Sequence, residues 1–258
     1  MERRGDPVTV PQAPVVLSIG TTEPRNVAGV GRDIVVAAEY GCAAVTAVAA
    51  VSAQDERGVH LLHVLPSESL EAQLDALARV RVGAVRVGAL GSAANVVLVA
   101  RRLETMAGVL AIVDPVFHAS AGGALLESVA FTALRNELAT LPNVLLAPNI
   151  AEAAALLGYD AIGRDQMEGA ATELRERGAY GVLLKGGHLV GEPVDVLVTR
   201  DGIEAFAAPR IAAQMGGTGC TLAMAIACEL ALGHALHEAV VAARAFVRAK
   251  MTGLAGGE

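Results

Sequence analysis

Tryptophan is absent from this 258-residue chain, and four phenylalanines and three tyrosines are its only large aromatics. So few rings leave little surface on which bases could stack. Basic residues are sparse as well. Twenty Lys and Arg stand against 27 Asp and Glu, the formal net charge is −7, and no basic run exists to track a phosphate backbone. Nucleic acid is therefore not an expected partner. Cysteine is limited to Cys42, Cys220 and Cys228. An odd number without metal-ligand spacing argues against a disulfide framework and for thiols in a reducing compartment. Long apolar runs are missing too: Leu222–Leu232 is broken by Glu229 and is too short to span a bilayer. The opening "MERRGDPVTVPQAP" has charge but no apolar stretch behind it, unlike a signal peptide. Residues 1–14 read as a loose tail, and the chain as cytoplasmic, without membrane contact.

What the chain has in abundance is small and aliphatic. It is 53% hydrophobic with 28 glycines, and long enough to bury one large core. Strand-length apolar runs alternate with helical patterns almost from end to end. Strands are predicted at 15–20, 43–53, 84–90, 109–116, 143–149 and 181–187. Helices are predicted near 31–40, 69–80, 94–106, 125–141, 150–157 and 166–177. The strands are continuously apolar rather than alternating, which predicts helices on both faces of a mostly parallel sheet. "DVLVTRDGIEAFAAPRI" (195–211) then changes the rhythm, with strand composition on both sides of Asp201-Gly202, the signal of a late antiparallel hairpin. Helices at 221–232 and about 236–251 close the chain. Without an internal repeat or low-complexity linker, residues 15–258 read as a single domain of three layers, α/β/α.

In such a sheet, ligands lie beyond the carboxyl ends of the strands, and the unusual polar residues fall there. Glu23 follows the first predicted strand and Gln54 the second, while Asp114 falls at the end of the fourth, Asn149 of the fifth and Lys185 of the sixth. There is no GxxxxGK[ST], and "GVGRDI" (29–34) lacks the third glycine of a dinucleotide fingerprint. "GGTGC" (216–220) is more informative, because it leads directly into the apolar helix at 221–232. Main-chain N–H groups at Gly217, Thr218, Gly219 and Cys220, offered at a helix start, form a seat for a phosphoryl group. Phosphoryl transfer depends mostly on positioning and charge stabilisation. The same place predicts a lowered pKa for Cys220, whereas Cys42 and Cys228 read as core. Taken singly, these residues have ordinary roles: Lys185 a solvated charge, Glu152 a first-turn acid, Asp114 a turn former before Pro115, Gln54 a polar loop residue. Their gathering at one sheet edge is what those roles leave unexplained. His234 and His237, three apart with no carboxylate pattern, read as surface.

The segments "IVDPVF" (112–117), "LAPNIAEAAALLG" (146–158), "LLKGGHL" (183–189), "APRI" (208–211) and "GGTGCTLAMAIA" (216–227) occur in a particular order and spacing. In these the chain, from about Val15 to Arg248, resembles the hydroxymethylpyrimidine/phosphomethylpyrimidine kinases of thiamin biosynthesis, members of the ribokinase-like superfamily. The resemblance implies a ribokinase-like fold that binds ATP and Mg²⁺ and phosphorylates a pyrimidine alcohol and then its monophosphate. It also implies a homodimer. It casts Gly217, Thr218 and Gly219 as the anion hole and Cys220 as the residue that assists deprotonation of the acceptor hydroxyl. Lys185 lies by the transferring phosphates. Asn149 and Glu152 match an NxxE segment that organises magnesium and phosphates, joined by Gly187 on the nucleotide and Asp114 on the metal. On the acceptor side it implies Gln54 at the aminopyrimidine edge, with Glu23, Asp33, Ala89 and Val116 around the ring.

The departures from that pattern gather on the acceptor side. The family's first loop reads Gly-Ser/Thr-Asp-Pro-Ser-Gly-Gly-Ala-Gly-Ile-Gln-Ala-Asp, where this chain has "TTEPRNVAGVGRD" (21–33). Glu23 replaces Asp, Arg25-Asn26-Val27 replaces Ser-Gly-Gly, and Gly31 replaces Gln. Gly216 stands where the family has His, and Ala89 where a methionine packs on the ring. "FHASAGGALL" (117–126) lacks the family's basic residue. A related heteroaromatic alcohol such as pyridoxal, or a non-catalytic ligand-binding role, remains the alternative.

Overall fold

The computed structural model describes residues 13–255 except 107, 188 and 214, so most of the expected tail lies outside the described residues. Nine strands form one sheet in the order β3-β2-β1-β4-β5-β6-β7-β8-β9. They are β1 (Val15–Thr22), β2 (Ala43–Asp55), β3 (Gly58–Val64), β4 (Ala84–Val87), β5 (Leu110–Val113), β6 (Val144–Leu146), β7 (Gly181–Lys185), β8 (Val194–Thr199) and β9 (Gly202–Ala207). Six strands, β2-β1-β4-β5-β6-β7, pair in parallel. Antiparallel partners flank them, β3 on one side and β8-β9 on the other. The mostly parallel sheet and the late hairpin at Asp201-Gly202 are thus present. The strand β3 is additional to the sequence reading.

The helices are α1 (Gly29–Glu39), α2 (Ser67–Ala76), α3 (Ala93–Glu104), α4 (Ala130–Ala133), α5 (Ile150–Leu157), α6 (Met167–Glu176), α7 (Thr218–Ala231) and α8 (Leu236–Ala255). Alternate residues of each strand feed two separate cores. Leu17, Val85, Val87, Val113, Leu146 and Leu184 point into the core under α2, α3, α5 and α6. Val16, Ala84, Ile112, Leu145 and Leu183 meet α1, α7 and α8 on the opposite face. That two-sided burial is why these strands read as continuous apolar runs. Residues Thr221–Glu229 of α7 are all buried, as expected for a helix apolar all round.

Two expectations change at the boundaries. The helix expected from 125 begins at Ala130 and runs into a π turn at Leu134–Leu138. Leu126 is held instead by a bridge to Gly91. α1 starts at Gly29, with Val30, Asp33, Val36 and Ala37 on its inward stripe. An aspartate on such a stripe needs a partner within the core. Among the described residues, no helix is long and apolar enough to cross a membrane.

Candidate active site

All six parallel strands end at the same edge, and two of them carry irregularities there, at Gly20/Thr21 in β1 and Ala53/Gln54 in β2. Bulges of this kind re-aim side chains beside functional sites. Helix α7 brings its N-terminus to this edge. Its N-cap, Gly217, has φ +69°, a left-handed conformation that suits glycine. The Gly217 carbonyl already accepts from Thr221 N–H at 2.8 Å. The N–H groups of the first helical turn have no partner within the helix, so they carry its positive end.

Two acids and a lysine meet this helix start. Lys185 Nζ donates to Asp114 Oδ1 at 2.6 Å, and both side chains are largely buried. A Cβ on Gly219 would lie 3.3 Å from Lys185 Nζ and 3.5 Å from Asp114 Oδ2, so Gly219 lets the pair approach the helix end. Asn149 and Glu152 form a capping box at the start of α5: Glu152 N–H donates to Asn149 Oδ1 at 2.9 Å and Asn149 N–H to Glu152 Oε2 at 2.7 Å. A bridge between Asn149 and Lys185 ties β6 to β7 beside the lysine. Burial pushes the Glu152 carboxyl up to about 7, against the pull of Lys185. Burial also works against the Lys185 charge, but Asp114 and Glu152 together hold its pKa above the ordinary value.

Cys220 departs from the sequence expectation. Loss of water pushes its thiol pKa up, and the nearby Arg86 guanidinium and the Gly29 N–H oppose that shift without reversing it. Burial therefore outweighs the favourable charges around this thiol.

On the side expected to receive the acceptor, the Glu23 carboxylate accepts from the backbone N–H groups of Arg25 at 2.8 Å, Val27, and Ala28 at 3.1 Å. It is buried and shapes its own loop. Among the described residues, Asn26 is the one non-glycine residue with positive φ, +54°, which Asn tolerates better than most. A Cβ on Gly31 would lie 1.8 Å from Asn26 Oδ1. The two unusual residues of this loop thus compensate: the Asn26 side chain fills the space that a side chain at 31 would take. Arg25 turns outward to Glu56 at 2.6 Å, linking the loop to the β2–β3 turn. Gln54 is half-buried, and its Oε1 has no protein partner among the described residues. Ala89 is buried, with Thr21 Oγ1 donating to its carbonyl at 3.0 Å. Val116 is half-buried just beyond Asp114.

Asp33 is completely buried and does not face the cleft directly. Ser18 Oγ donates to it at 2.6 Å, and Arg86 Nη1 lies 3.2 Å away. The sequence reading passed over Arg86. A basic residue within an apolar strand, two residues before a glycine, was the available signal. Arg210 was also missed in this role: it donates to the carbonyls of Gly187, Leu189 and Gly191 and holds the loop after β7. His188 lies outside the described residues.

Among the described residues, no three His, Cys, Asp or Glu side chains group to enclose a metal. The donor set fits Mg²⁺ nonetheless, since that ion keeps several waters and needs only one or two carboxylates besides substrate phosphates. Asp114 and Glu152 supply two such carboxylates beside the helix end.

A helix N-terminus, a lysine and paired acids gathered at the carboxyl edge of a doubly covered parallel sheet fit an α/β kinase of small molecules. The family model described as phosphomethylpyrimidine kinase matches residues 24–256, and the chain belongs to that family. The hydroxymethylpyrimidine/phosphomethylpyrimidine kinase of Rhizobium meliloti is 37% identical, covering 92% of this chain and 90% of that protein. The thiamine biosynthesis bifunctional protein ThiED of Geobacter sulfurreducens is 36% identical, covering 91% of this chain. The chain spans 48% of that longer protein. In structure, the phosphomethylpyrimidine kinase of Clostridium difficile 630 aligns with TM-score 0.81 and 28% identity, covering 92% of this chain and 99% of the other. The Bacillus subtilis pyridoxal kinase, solved as an ADP complex, gives TM-score 0.83 and 27% identity, with 92% of this chain and 91% of that one covered.

Proposed function

We propose that this chain transfers the γ-phosphoryl group of ATP to 4-amino-5-hydroxymethyl-2-methylpyrimidine and then to its monophosphate, as a step of thiamin biosynthesis. The observation that carries this reading is the meeting of the α7 N-terminus with Lys185, Asp114 and Glu152 in one cradle. In each round the acceptor oxygen bonds to the γ-phosphorus and the bond to the ADP oxygen breaks; in the first round the acceptor hydroxyl also gives up its proton, whereas the phosphate oxygen of the second round is already ionised. Charge spreads over the equatorial oxygens of the transferring group. The N–H groups of Thr218, Gly219 and Cys220, together with Lys185, hold that charge in place. Asn149, Glu152 and Gly187 border the nucleotide. Asp114 and Glu152 would hold Mg²⁺, which would add to the neutralisation of phosphate charge.

Cys220 stands at the reacting hydroxyl and assists its deprotonation late, when bonding to phosphorus has made that proton acidic: the neutral thiol passes its own proton to a phosphate oxygen as it receives the proton of the hydroxyl. Gln54 offers an unpartnered acceptor to the exocyclic amino group of the pyrimidine, and that orphan oxygen is what favours an amino-bearing ring. Glu23 holds the covering loop, Ala89 and Val116 flank the ring, and Asp33 supports them from below. We read residues 15–258 as a single catalytic domain that works as a homodimer in the cytoplasm.

Pyridoxal is the second reading, favoured by the small side chain at Ala89 and the fold shared with a pyridoxal kinase. ADP release measured with ATP, Mg²⁺ and a panel of heteroaromatic alcohols separates the two. The proposal expects the highest kcat/KM with the hydroxymethylpyrimidine and its monophosphate. Preferred turnover of pyridoxal would transfer the assignment, and binding without turnover of any acceptor would make the chain a ligand-binding protein.

A further inference from the structure

Among the described residues, the largest fully buried side chain is that of Arg86, on β4, only 1% exposed. A guanidinium removed from water needs carboxylates and hydrogen bonds to offset its desolvation. It has two carboxylates, and they come from different halves of the site. Nη1 lies 3.2 Å from Asp33 of α1, the helix that follows the acceptor loop. Nη2 lies 3.3 Å from Asp114, beyond β5, whose other oxygen holds Lys185 at 2.6 Å. The Cys220 thiol lies within the field of the same guanidinium, whose charge opposes the rise that burial causes in its pKa.

The backbone makes room for this arrangement. A Cβ on Gly88 would lie 2.1 Å from Arg86 Nη1, and one on Gly20, across on β1, 3.5 Å from it. Residue 88 must therefore lack a side chain if the guanidinium is to occupy its present place. Arg86 Nε has no partner among the described residues, so the group is fixed from its two outer nitrogens. It is a planar fork spanning two acids, a geometry that a lysine cannot copy.

We propose that Arg86 is a positioning residue: its guanidinium clamps Asp33 to Asp114, and so sets Cys220 and the acceptor helix in register with Lys185 and the phosphates. This deepens the kinase reading above and rests on it. Arg86 touches no substrate; it acts through Asp114 and Cys220. The competing explanation is that Arg86 merely neutralises Asp33 inside the core.

A charge-balanced pair of variants separates the two. Arg86→Met alone leaves the buried Asp33 carboxylate without its counter-charge and is expected to lower Tm and kcat together. Asp33→Asn combined with Arg86→Met removes the stranded charge, so Tm should return to that of Asp33→Asn alone. Positioning predicts that kcat of the double variant stays about 100-fold below Asp33→Asn, with both KM values moving less than tenfold, the scale of a misplacement near 1 Å. Equal kcat in the double variant and Asp33→Asn would overturn the proposal and leave Arg86 a structural counter-charge. Arg86→Lys, with one contact instead of two, should recover only part of the loss; full recovery would overturn the clamp.

Gly88→Ala is the second arm, useful where the double variant does not fold. It preserves every charge but moves the guanidinium, and kcat should fall at least about tenfold. A folded Gly88→Ala protein with wild-type kcat counts against the proposal. Wild-type turnover of any acceptor keeps these comparisons meaningful, whereas a wild-type protein that turns over no acceptor removes the kinase reading itself and the clamp with it.

Discussion

Replacing Gly217 by alanine should damage transfer far more than replacing its neighbour Gly216. The Gly217 φ of +69° costs an alanine about 1–2 kcal/mol. Its Cβ would also sit 2.0 Å from the Val27 carbonyl oxygen. A comfortable carbon–oxygen contact is about 3.3–3.6 Å, so the turn or the facing loop must move by more than about 1 Å. The conformational cost alone predicts a Tm lowered by about 2–8 °C. The displacement carries the N–H groups of residues 218–220 with it, and misplacement on that scale lowers kcat about 100-fold. Gly216 lacks a positive φ, and the nearest atom to a Cβ there is Val27 Cβ at 3.9 Å. Gly216→Ala should therefore stay within about twofold of wild type. Steady-state ADP release and thermal melting of both variants make the comparison. A Gly217→Ala protein with lowered Tm but wild-type kcat would refute the claim that this turn places the anion seat.

Glu152 makes stability depend on pH. Its folded pKa of about 7 lies above the unfolded value of 4.5, so its contribution is fully present below pH 4.5 and is lost as pH rises through 7. Glu152→Gln keeps a capping side chain without the charge. In nucleotide-free protein it should raise Tm at pH 8 relative to wild type, by at most about 3 kcal/mol of stability, with the gap closing toward pH 4.5; a gap independent of pH would contradict this sign. Lys185→Met should lower kcat about 100-fold or more, the loss typical of one transition-state donor, with a smaller loss of nucleotide affinity. A large drop in affinity with kcat intact would make Lys185 a ground-state anchor instead.

Much of the edge that carries the site was legible because parallel strands buried on both faces leave a strong apolar signature, and their polar residues then mark the ends. The six parallel strands, the late hairpin and the helix behind "GGTGC" were all predicted within a few residues. The strand β3 was not, because Leu61, His60 and His63 are largely exposed at a sheet edge and neither apolar continuity nor clean alternation appears. Leu125 and Leu126 suggested a helix, but tertiary pairing with Gly91 holds them in a loop. At the site, sequence alone read Asp33 as part of the acceptor rim. Its burial became visible only with α1 laid on the sheet and Arg86 opposite. The raised Cys220 pKa escaped for a related reason: a helix start is local and readable, whereas desolvation depends on everything packed around the thiol.

The measurement that bears most directly on this account is the turnover of Cys220→Ala set against its affinity for nucleotide. A residue that assists proton transfer typically contributes about 10²–10⁴ in rate. With the thiol at the reacting hydroxyl, kcat should fall by that order while the dissociation constant for a non-hydrolysable ATP analogue stays within about threefold of wild type. Unchanged kcat in a folded Cys220→Ala protein would remove the thiol from the chemistry and move the transfer point away from the start of α7.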